Sequence, residues 1–396
     1  MVKRIFISFI IWKALVYSFA LIAVKLLPLQ IAFTPYIFDI KTLEFPYLVF
    51  IWGNFDGNHY MEIARNGYHS LEHAFFPLYP ILIKFLFEIF KLIDVYLPYL
   101  ISAQIISNFA FLLSMFVIYK ILTLDRQNGL FPLIVGCIIL FPTSYSYGAA
   151  YNDSLFLLFA TLTIYFARKR LFVLSSIMGA LATLTRLNGL ALVFVILIEY
   201  IMSGDNIIGQ WSLKTVIQRM KNSLEIKKIV TQRIFSIFLV PVSFLSYLLY
   251  VHIWHGNWNL VFSSMEVWNQ SKLTFPLQVF WRYLKIIFLS PAVNLNYWIA
   301  IFELLFVLFF IFVIVYSYKK IRLSYWVFFV VSIIIPSLTG TFAGMPRYAL
   351  HLYPFFLGLS LFLSNRNIFF KTIYFIISAF LLFLFVGLFT RGYFVA

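Results

Sequence analysis

Long apolar runs separated by short polar segments make up most of this 396-residue chain. A helix needs roughly 20 apolar residues to cross about 30 Å of hydrocarbon, and lipid-embedded backbone must satisfy its own hydrogen bonds. The alternating pattern of a membrane barrel is absent, so the sequence predicts an all-α, polytopic membrane protein. We expect about eleven transmembrane helices, at residues 5–27, 97–122, 130–149, 152–167, 171–184, 186–201, 234–254, 296–318, 323–341, 347–364 and 371–390.

The positions of the charges give this arrangement an orientation. Charged residues are only 11% of the chain, and the net charge is +16. The basic residues form short clusters between spans, which is the positive-inside pattern rather than a nucleic-acid-binding surface. If every cluster is cytoplasmic, the N-terminus lies inside and the C-terminus outside. The clusters include Lys3, Arg4, Arg126, Arg168, Lys169, Arg170, Lys319, Lys320, Arg322, Arg366 and Lys371.

This orientation defines two large loops within one integral membrane domain over residues 1–396. Residues 28–96 form the first extracytoplasmic loop, and residues 202–233 form a basic cytoplasmic loop. The run 5–27 is too long for a signal-peptide core and no small-residue cleavage site follows it, so we expect a retained first span. Within the first loop, residues 74–93 are apolar but contain Lys84, Glu88 and Lys91. Counting them as a span would invert every later loop, so we expect an interfacial helix on the outer leaflet.

Four polar segments share the outer face in this topology: residues 52–80, 142–154, 185–189 and 344–354. The first is the densest in ionisable groups, and each of the others lies at a helix start or a break between helices. Charges this close to hydrocarbon are costly unless they are paired or functional. The pattern therefore predicts an active site between spans at the extracytoplasmic face. The ionisable residues of the first segment are Asp56, His59, Glu62, Arg65, His69, Glu72 and His73.

Two residue types in these segments suit chemistry on a polar substrate at the lipid surface. Asp56 is the natural general base, because a carboxylate near hydrocarbon can have its proton affinity tuned; the alternative is a solvated loop aspartate. His59 would orient Asp56, contact a sugar or be structural. Arg347 and Arg186 suit a phosphate, since a guanidinium binds its oxygens through a planar fork. The alternative for both is an arginine that snorkels to lipid headgroups.

Other candidates carry weaker signals. Asn152 and Asp153 open a helix, where helix capping alone would explain them. Phe75 and Phe76, with nearby aromatics, suit either a prenyl groove or an interfacial aromatic belt. The single cysteine, Cys137, excludes an intrachain disulfide.

The first loop resembles that of the PIG-V family of mannosyltransferases. The resemblance rests on WGNFDGNHYMEIARNGY (52–68) and AFFPLYP (74–80). Three further elements follow in the family's order: FPTSYSYGAAYNDSLF (141–156), TRLNG (185–189) and MPRYALHLYP (345–354). The chain departs from the family pattern at Phe55, where the family has Trp, at Asp153 in place of a longer acidic residue, and at Leu187 in place of Ser.

The resemblance implies a GT-C-type fold, with interfacial helices and a catalytic carboxylate in the first extracytoplasmic loop. It implies transfer of a hexose, most simply mannose, from a polyprenyl- or dolichyl-phosphate sugar to a glycan or glycolipid acceptor. The short chain fits a member from the plasma membrane of a prokaryote better than an endoplasmic-reticulum enzyme with a luminal site. Asp56 is then the catalytic residue. The expected substrate-binding residues are His59, Tyr60, Asn152, Asp153, Arg186, Asn188, Arg347 and Tyr348.

Two other functional classes remain open from the sequence. A lipid or solute transporter, or a flippase, would also have broken helices, but with ionisable residues spaced along the middle of several spans. A lipid-linked glycan ligase would have several arginines in a large late loop, where this chain has only Arg282. We expect no required cofactor or metal. Asp56 and Asp153 nevertheless offer oxygen ligands, which leaves Mg²⁺ or Mn²⁺ open.

Overall fold

A computed structural model describes residues 2–30, 47–69, 71–93, 98–202, 235–268, 270, 273–293 and 295–395. Those residues form helices and turns, with no strand among them. They include fourteen α-helices of nine or more residues. In chain order these are α1 (Val2–Leu26), α2 (Asp56–Asn66), α3 (Leu78–Leu92), α4 (Tyr99–Leu124), α5 (Phe131–Ile139), α6 (Asp153–Arg168), α7 (Phe172–Thr183), α8 (Leu192–Ile201), α9 (Leu239–His255), α10 (Pro276–Leu289), α11 (Leu295–Ser317), α12 (Leu323–Ser337), α13 (Tyr353–Ser364) and α14 (Ile368–Thr390).

Several of these helices identify an integral, multi-pass membrane protein. By length and apolar composition, five helical segments of the described chain are able to cross a membrane: α1, α4, Ser236–His255, α11 and α14. Five shorter apolar segments accompany them, at Asn128–Ile139, Phe172–Thr183, Leu187–Ile201, Leu323–Ser337 and Tyr353–Ser364. All-helical architecture is thus confirmed. The number of eleven spans and the GT-C fold remain predictions.

Two predicted spans are interrupted in the structure. Within 130–149, α5 ends at Ile139 and a buried 3₁₀-helix follows at Ser144–Gly148. Pro142 between them has no N–H for a continuous helix. Nearby side chains instead bond to another part of the protein, since the Thr143 hydroxyl donates to the Pro346 carbonyl (3.1 Å). Within 347–364, a short helix at Met345–Tyr348 and a 3₁₀-turn at Ala349–His351 precede α13.

An additional helix, α10, lies between the predicted spans 234–254 and 296–318, where the sequence predicts no helix. One side of this helix is buried, at Val279 and Tyr283, whereas the apolar side chains of Leu277, Trp281 and Phe288 are exposed. The run is too short and too interrupted by polar residues to resemble a span. In the folded protein this helix packs against α11, and its side chains hydrogen-bond to the residues that follow α12.

The first loop is helical where it is described. The segment 74–93 contains α3, whose buried Tyr79 donates to the Ala103 carbonyl on α4 (3.0 Å). Its interfacial placement stays a prediction. Parts of the first loop, residues 31–46, 70 and 94–97, lie outside the described residues, and so does the predicted basic loop apart from residue 202.

Helix α6 joins two polar layers of the molecule. Its first residue, Asp153, belongs to the layer formed by the predicted outer segments, and its last residue, Arg168, belongs to a second layer. A helix of 16 residues spans about 24 Å at 1.5 Å per residue. The two layers are therefore separated by most of the thickness of a bilayer core.

Candidate active site

A cavity of about 330 Å³ lies in the layer that contains Asp153. All four polar segments predicted for the outer face contribute to its wall. The rest of the wall comes from Met265, Trp268 and Gln270 after α9, from Ile335, Pro336, Thr339 and Ala343 at the end of α12 and after it, and from Phe394 near the C-terminus. Its polar lining consists mainly of residues that the sequence suggested: Asp56, Tyr60, Asn152, Arg186, Asn188, Arg347 and Tyr348. The apolar part of the lining includes Phe75, Phe76, Met265 and Trp268.

Asp56 is the first residue of α2 and is presented to the cavity by a constrained turn. The preceding Phe55 has φ 56° and ψ −119°, a backbone conformation that residues with a side chain rarely adopt. The turn is held on both sides: the Asn54 amide donates to the Phe389 carbonyl (3.0 Å), and the Tyr151 hydroxyl donates to the Asn54 carbonyl (3.0 Å). The Asp56 side chain is 23% exposed, so it remains accessible to a substrate.

Arg347 connects Asp56 to a second carboxylate. Its Nη1 lies 2.7 Å from Asp56 Oδ2, and its Nη2 lies 3.4 Å from Asp153 Oδ2. The guanidinium carbon is 4.4 Å from the centre of the Tyr151 ring, which places the cation over an aromatic face. The Arg347 side chain is only 6% exposed. A buried arginine with two carboxylate partners keeps its charge and a defined position.

Asp153 is fully buried and lies at the centre of the charged cluster. Its Oδ1 accepts from Arg186 Nη1 (2.6 Å) and lies 2.7 Å from His351 Nε2. The His351 ring is also fully buried, and the tautomer with hydrogen on Nε2 donates to Asp153. Asp153 thus holds both arginines of the site. Arg186, with 20% of its side chain exposed, is the more accessible of the two.

Three other predicted residues line the cavity beside this cluster. Asn152 joins the start of α6 to the break after α7, because its Nδ2 donates to the Thr185 carbonyl (2.6 Å). Asn188 Nδ2 donates to the Ser332 carbonyl on α12 (3.2 Å). The Tyr348 ring lies 5.3 Å from the Arg186 guanidinium carbon. Through these contacts the two amide side chains and the Tyr348 ring connect the segments that form the cavity wall.

Tyr60 and Tyr151 add neutral hydroxyl groups to the region. Both rings are buried, and burial raises the pKa of each phenol above its ordinary value. Each hydroxyl is therefore protonated near neutral pH and can donate a hydrogen bond. Tyr60 lines the cavity, whereas Tyr151 lies beneath Arg347.

His59 does not line the cavity, although it lies one turn after Asp56 on α2. Its Nδ1 is 3.6 Å from Glu72 Oε1, and its ring stacks on Phe75 at a centroid distance of 4.7 Å. The His59 ring thus faces Glu72, and its role as a residue that orients Asp56 or contacts a sugar stays a prediction. His59 supports Phe75, which does reach the cavity.

The sequence reading missed three residues of this region: His351, Tyr151 and Trp268. His351 follows Arg347 by one helical turn in a segment already singled out, so its spacing was an available signal. Tyr151 immediately precedes the Asn152 and Asp153 pair. Trp268 comes from a different part of the chain, and only tertiary packing brings it to within 6.0 Å of the His59 ring centre.

The cluster differs in composition from a typical metal site. Within the residues that the structure describes, no group of three or more His, Cys, Asp or Glu side chains is arranged to hold a metal ion. The two candidate carboxylates, Asp56 and Asp153, both face Arg347. A divalent ion between them would have to displace this cation.

The comparison with known families agrees with the segments that build the cavity. The family model described as Mannosyltransferase (PIG-V) matches residues 45–273, more than half of the chain. The matched range contains Asp56, Asp153 and Arg186, whereas Arg347 and His351 lie beyond it. No curated protein matches the chain.

Proposed function

Because the chain belongs to the PIG-V family of mannosyltransferases, we propose that it transfers mannose from a polyprenyl- or dolichyl-phosphate carrier to a glycan or glycolipid hydroxyl. The reaction takes place in the cavity at the extracytoplasmic face, in a GT-C-type architecture. One observation carries the proposal: an accessible carboxylate, Asp56, lies 2.7 Å from a buried arginine, Arg347, and a second arginine lines the same cavity.

The reaction requires a base and a place for negative charge. The acceptor oxygen attacks the anomeric carbon and its proton passes to the Asp56 carboxylate. The bond between the anomeric carbon and the phosphate oxygen breaks, and the departing phosphate keeps the bonding electrons. Arg347 and Arg186 stabilise the charge that develops on this phosphate, because fixed cations act most strongly in a site of low dielectric constant.

Asp153 has a different part in this mechanism. Its carboxylate is fully buried and contacts Arg186, Arg347 and His351, so no oxygen is available to an acceptor. We assign it the role of holding the two arginines at a fixed separation. A preorganised cation pair loses little free energy to reorganisation when the phosphate arrives.

The aromatic side of the cavity suits the sugar. Phe75, Phe76 and Trp268 line it, and Trp268 contacts Phe75 edge to face at a centroid distance of 5.7 Å. The apolar C–H faces of a hexose pack against aromatic rings, while its hydroxyl groups reach polar partners such as Tyr60 and Asn188. The two sides of the cavity thus match the two faces of the ligand.

No resident metal is part of the proposal. The positive charge that Mg²⁺ or Mn²⁺ would bring to a phosphate is already supplied by Arg186 and Arg347. The proposed location is the plasma membrane of a prokaryote. The proposed extracytoplasmic side of the cavity rests on the positive-inside pattern of the loops.

The test is transfer from polyprenyl-phosphate mannose to a synthetic acceptor in proteoliposomes. We expect Asp56→Asn to lower the rate by about 10²–10⁴-fold, the usual contribution of general-base assistance, with donor binding retained. Glu62→Gln is the matched control, since Glu62 is a carboxylate on the same helix that accepts from the Asn66 side chain and does not line the cavity. Near-normal turnover by Asp56→Asn would exclude Asp56 as the base. A wild-type protein that transfers no hexose would favour a transporter or flippase instead.

A further inference from the structure

A second buried carboxylate lies outside the cavity and has no part in the mechanism above. Glu303 is in the first half of α11, a helix long and apolar enough to span a membrane, and is 4% exposed. Within the described ranges, no lysine or arginine pairs with it. An ionisable group in such a helix is costly, and its retention indicates a function.

The Glu303 carboxylate accepts hydrogen bonds from two other segments. Tyr283 on α10 donates its hydroxyl hydrogen to Oε2 (2.6 Å), and the backbone N–H of Gly344 donates to Oε1 (3.2 Å). The same Tyr283 oxygen accepts from the Phe342 N–H (3.0 Å) and lies 3.0 Å from Thr341 Oγ1. Glu303 and Tyr283 together hold residues 341–344, which we call the 341–344 loop.

The 341–344 loop forms part of the cavity and leads directly into the arginine that the mechanism uses. Ala343 and Gly344 line the cavity. Gly344, with φ 75°, precedes the short helix Met345–Tyr348, and its carbonyl accepts from the Arg347 N–H (2.9 Å). A helix this short has little stability of its own. The position of Arg347 therefore depends on how the loop before it is held.

We propose that Glu303 and Tyr283 are positioning residues, which hold the 341–344 loop so that Arg347 meets the phosphate of the donor. This inference rests on the proposed function, because it assigns Arg347 to the donor. It makes a prediction that mere structural support does not: loss of either group weakens the use of the donor more than the use of the acceptor. A small displacement of a positioned group can cost up to about 10²-fold in rate.

The first experiment measures the loop without any substrate. Hydrogen exchange is followed in a peptide that covers the 341–344 loop, for Tyr283→Phe and Glu303→Ala in detergent. We expect faster exchange at the Phe342 and Gly344 amides in both variants. Tyr283→Phe removes the acceptor of the Phe342 N–H and the hydrogen bond that holds Glu303. Glu303→Ala removes the acceptor of the Gly344 N–H and the group that holds the Tyr283 hydroxyl. Tyr297→Phe is the matched control: its hydroxyl also joins α11 to α10, but it donates to the Ile287 carbonyl (3.2 Å). Exchange as slow as in this control would overturn the proposal.

The second experiment measures transfer kinetics in the same variants. We expect donor KM to rise by about 10-fold or more, with acceptor KM unchanged. Glu303→Gln keeps an oxygen for the Gly344 N–H and should stay close to wild type. An unchanged donor KM despite faster exchange would overturn the positioning role, and so would an equal rise for donor and acceptor. If the wild type transfers nothing, the proposed function fails, while the exchange experiment still decides whether the loop is held as described.

Discussion

Asp56 and Asp153 carry the same functional group in very different surroundings. Asp56 has one arginine partner and a side chain that is 23% exposed, so it can receive a proton from a substrate. Asp153 has no exposed surface and three charged or hydrogen-bonding partners. Sequence reasoning placed both residues at one face of the membrane but had no means of separating their roles. Burial and partner geometry make that separation.

This difference predicts opposite effects of two isosteric substitutions. Asp153→Asn removes the buried negative charge that Arg186 and Arg347 share, and leaves Arg347 with Asp56. Breaking such a buried cluster costs about 3–5 kcal/mol. We expect a clear drop in the unfolding midpoint in detergent. Asp56→Asn serves as the control, because Arg347 keeps Asp153 and the side chain is partly solvated. Equal midpoints for the two variants would contradict the assignment of Asp153 as the structural centre.

The backbone at Phe55 stores strain next to the proposed base. Its φ of 56° with ψ of −119° lies outside the regions open to residues with a Cβ, and such conformations cost about 1–3 kcal/mol. Packing offsets this cost, since the Phe55 ring contacts those of Phe389 and Phe394. The family pattern has a tryptophan here. Phenylalanine and tryptophan both provide an aromatic ring that can pack in this place and fix the turn before Asp56.

At the scale of elements, the site depends on the break between α7 and α8. Arg186 lies in this break, in extended conformation, and a 3₁₀-helix follows at Leu187–Ala191. Gly189 in that turn packs against the end of α7, where an added Cβ would lie 2.3 Å from the Thr183 backbone nitrogen. Only glycine permits this approach, which directs Arg186 towards Asp153.

We therefore predict that Gly189→Ala is disruptive. The backbone atoms that it meets belong to a packed helix and cannot yield easily, so overpacking should cost about 1–3 kcal/mol or more. Transfer activity should fall with it, because Arg186 moves. Gly129→Ala is the control, since nothing lies within 4 Å of its added Cβ. Unfolding midpoints of the two variants decide the matter, and a Gly189→Ala protein as stable as Gly129→Ala would argue against the close approach.

Helices were easier to predict from the sequence than their interruptions. Long apolar runs located a helix in the region of each predicted span, because a helix buried in lipid or in protein needs apolar side chains in both cases. They missed the end of α5, where Pro142 and the hydroxyl of Thr143 turn the chain into the interior. They also missed α10, because this helix has only 14 residues and mixes polar with apolar side chains. The structure of such segments depends on tertiary contacts, which the local sequence does not show.

At the scale of the molecule, a second charged network lies at the far end of α6. Arg168 Nη2 donates to Asp125 Oδ1 (2.8 Å), and Tyr325 donates to the other oxygen (2.7 Å). Glu199 accepts both Nε (2.9 Å) and Nη2 (3.0 Å) of Arg322. These residues come from helix ends that the charge pattern assigned to the same side. The packing therefore agrees with the predicted alternation of helix ends.

The same alternation explains how much of the site was predictable. Asp56, Asp153, Arg186 and Arg347 were expected at one face because they follow or precede spans of matching direction. Their pairing was not predictable, since it depends on side-chain reach across about 3 Å. His59 shows the limit: it has the right spacing from Asp56 but turns towards Glu72. Trp268 shows a second limit of sequence-based prediction, because no local sequence pattern connects it to the first loop that it contacts.

The orientation of these two layers leads to a final prediction. Asn257 follows α9 at the end of the molecule assigned to the outside, and Asn128 lies between α4 and α5 at the end with the basic clusters; both are exposed. In a Cys137→Ala background, a membrane-impermeant maleimide should label Asn257→Cys on intact cells. It should label Asn128→Cys only after the membrane is opened, because basic loops stay in the cytoplasm. Both positions avoid the charged networks, so neither substitution disturbs the packing that it reports. The reverse pattern would place the cavity, Asp56 and both arginines on the cytoplasmic side, where an extracytoplasmic acceptor could not reach them.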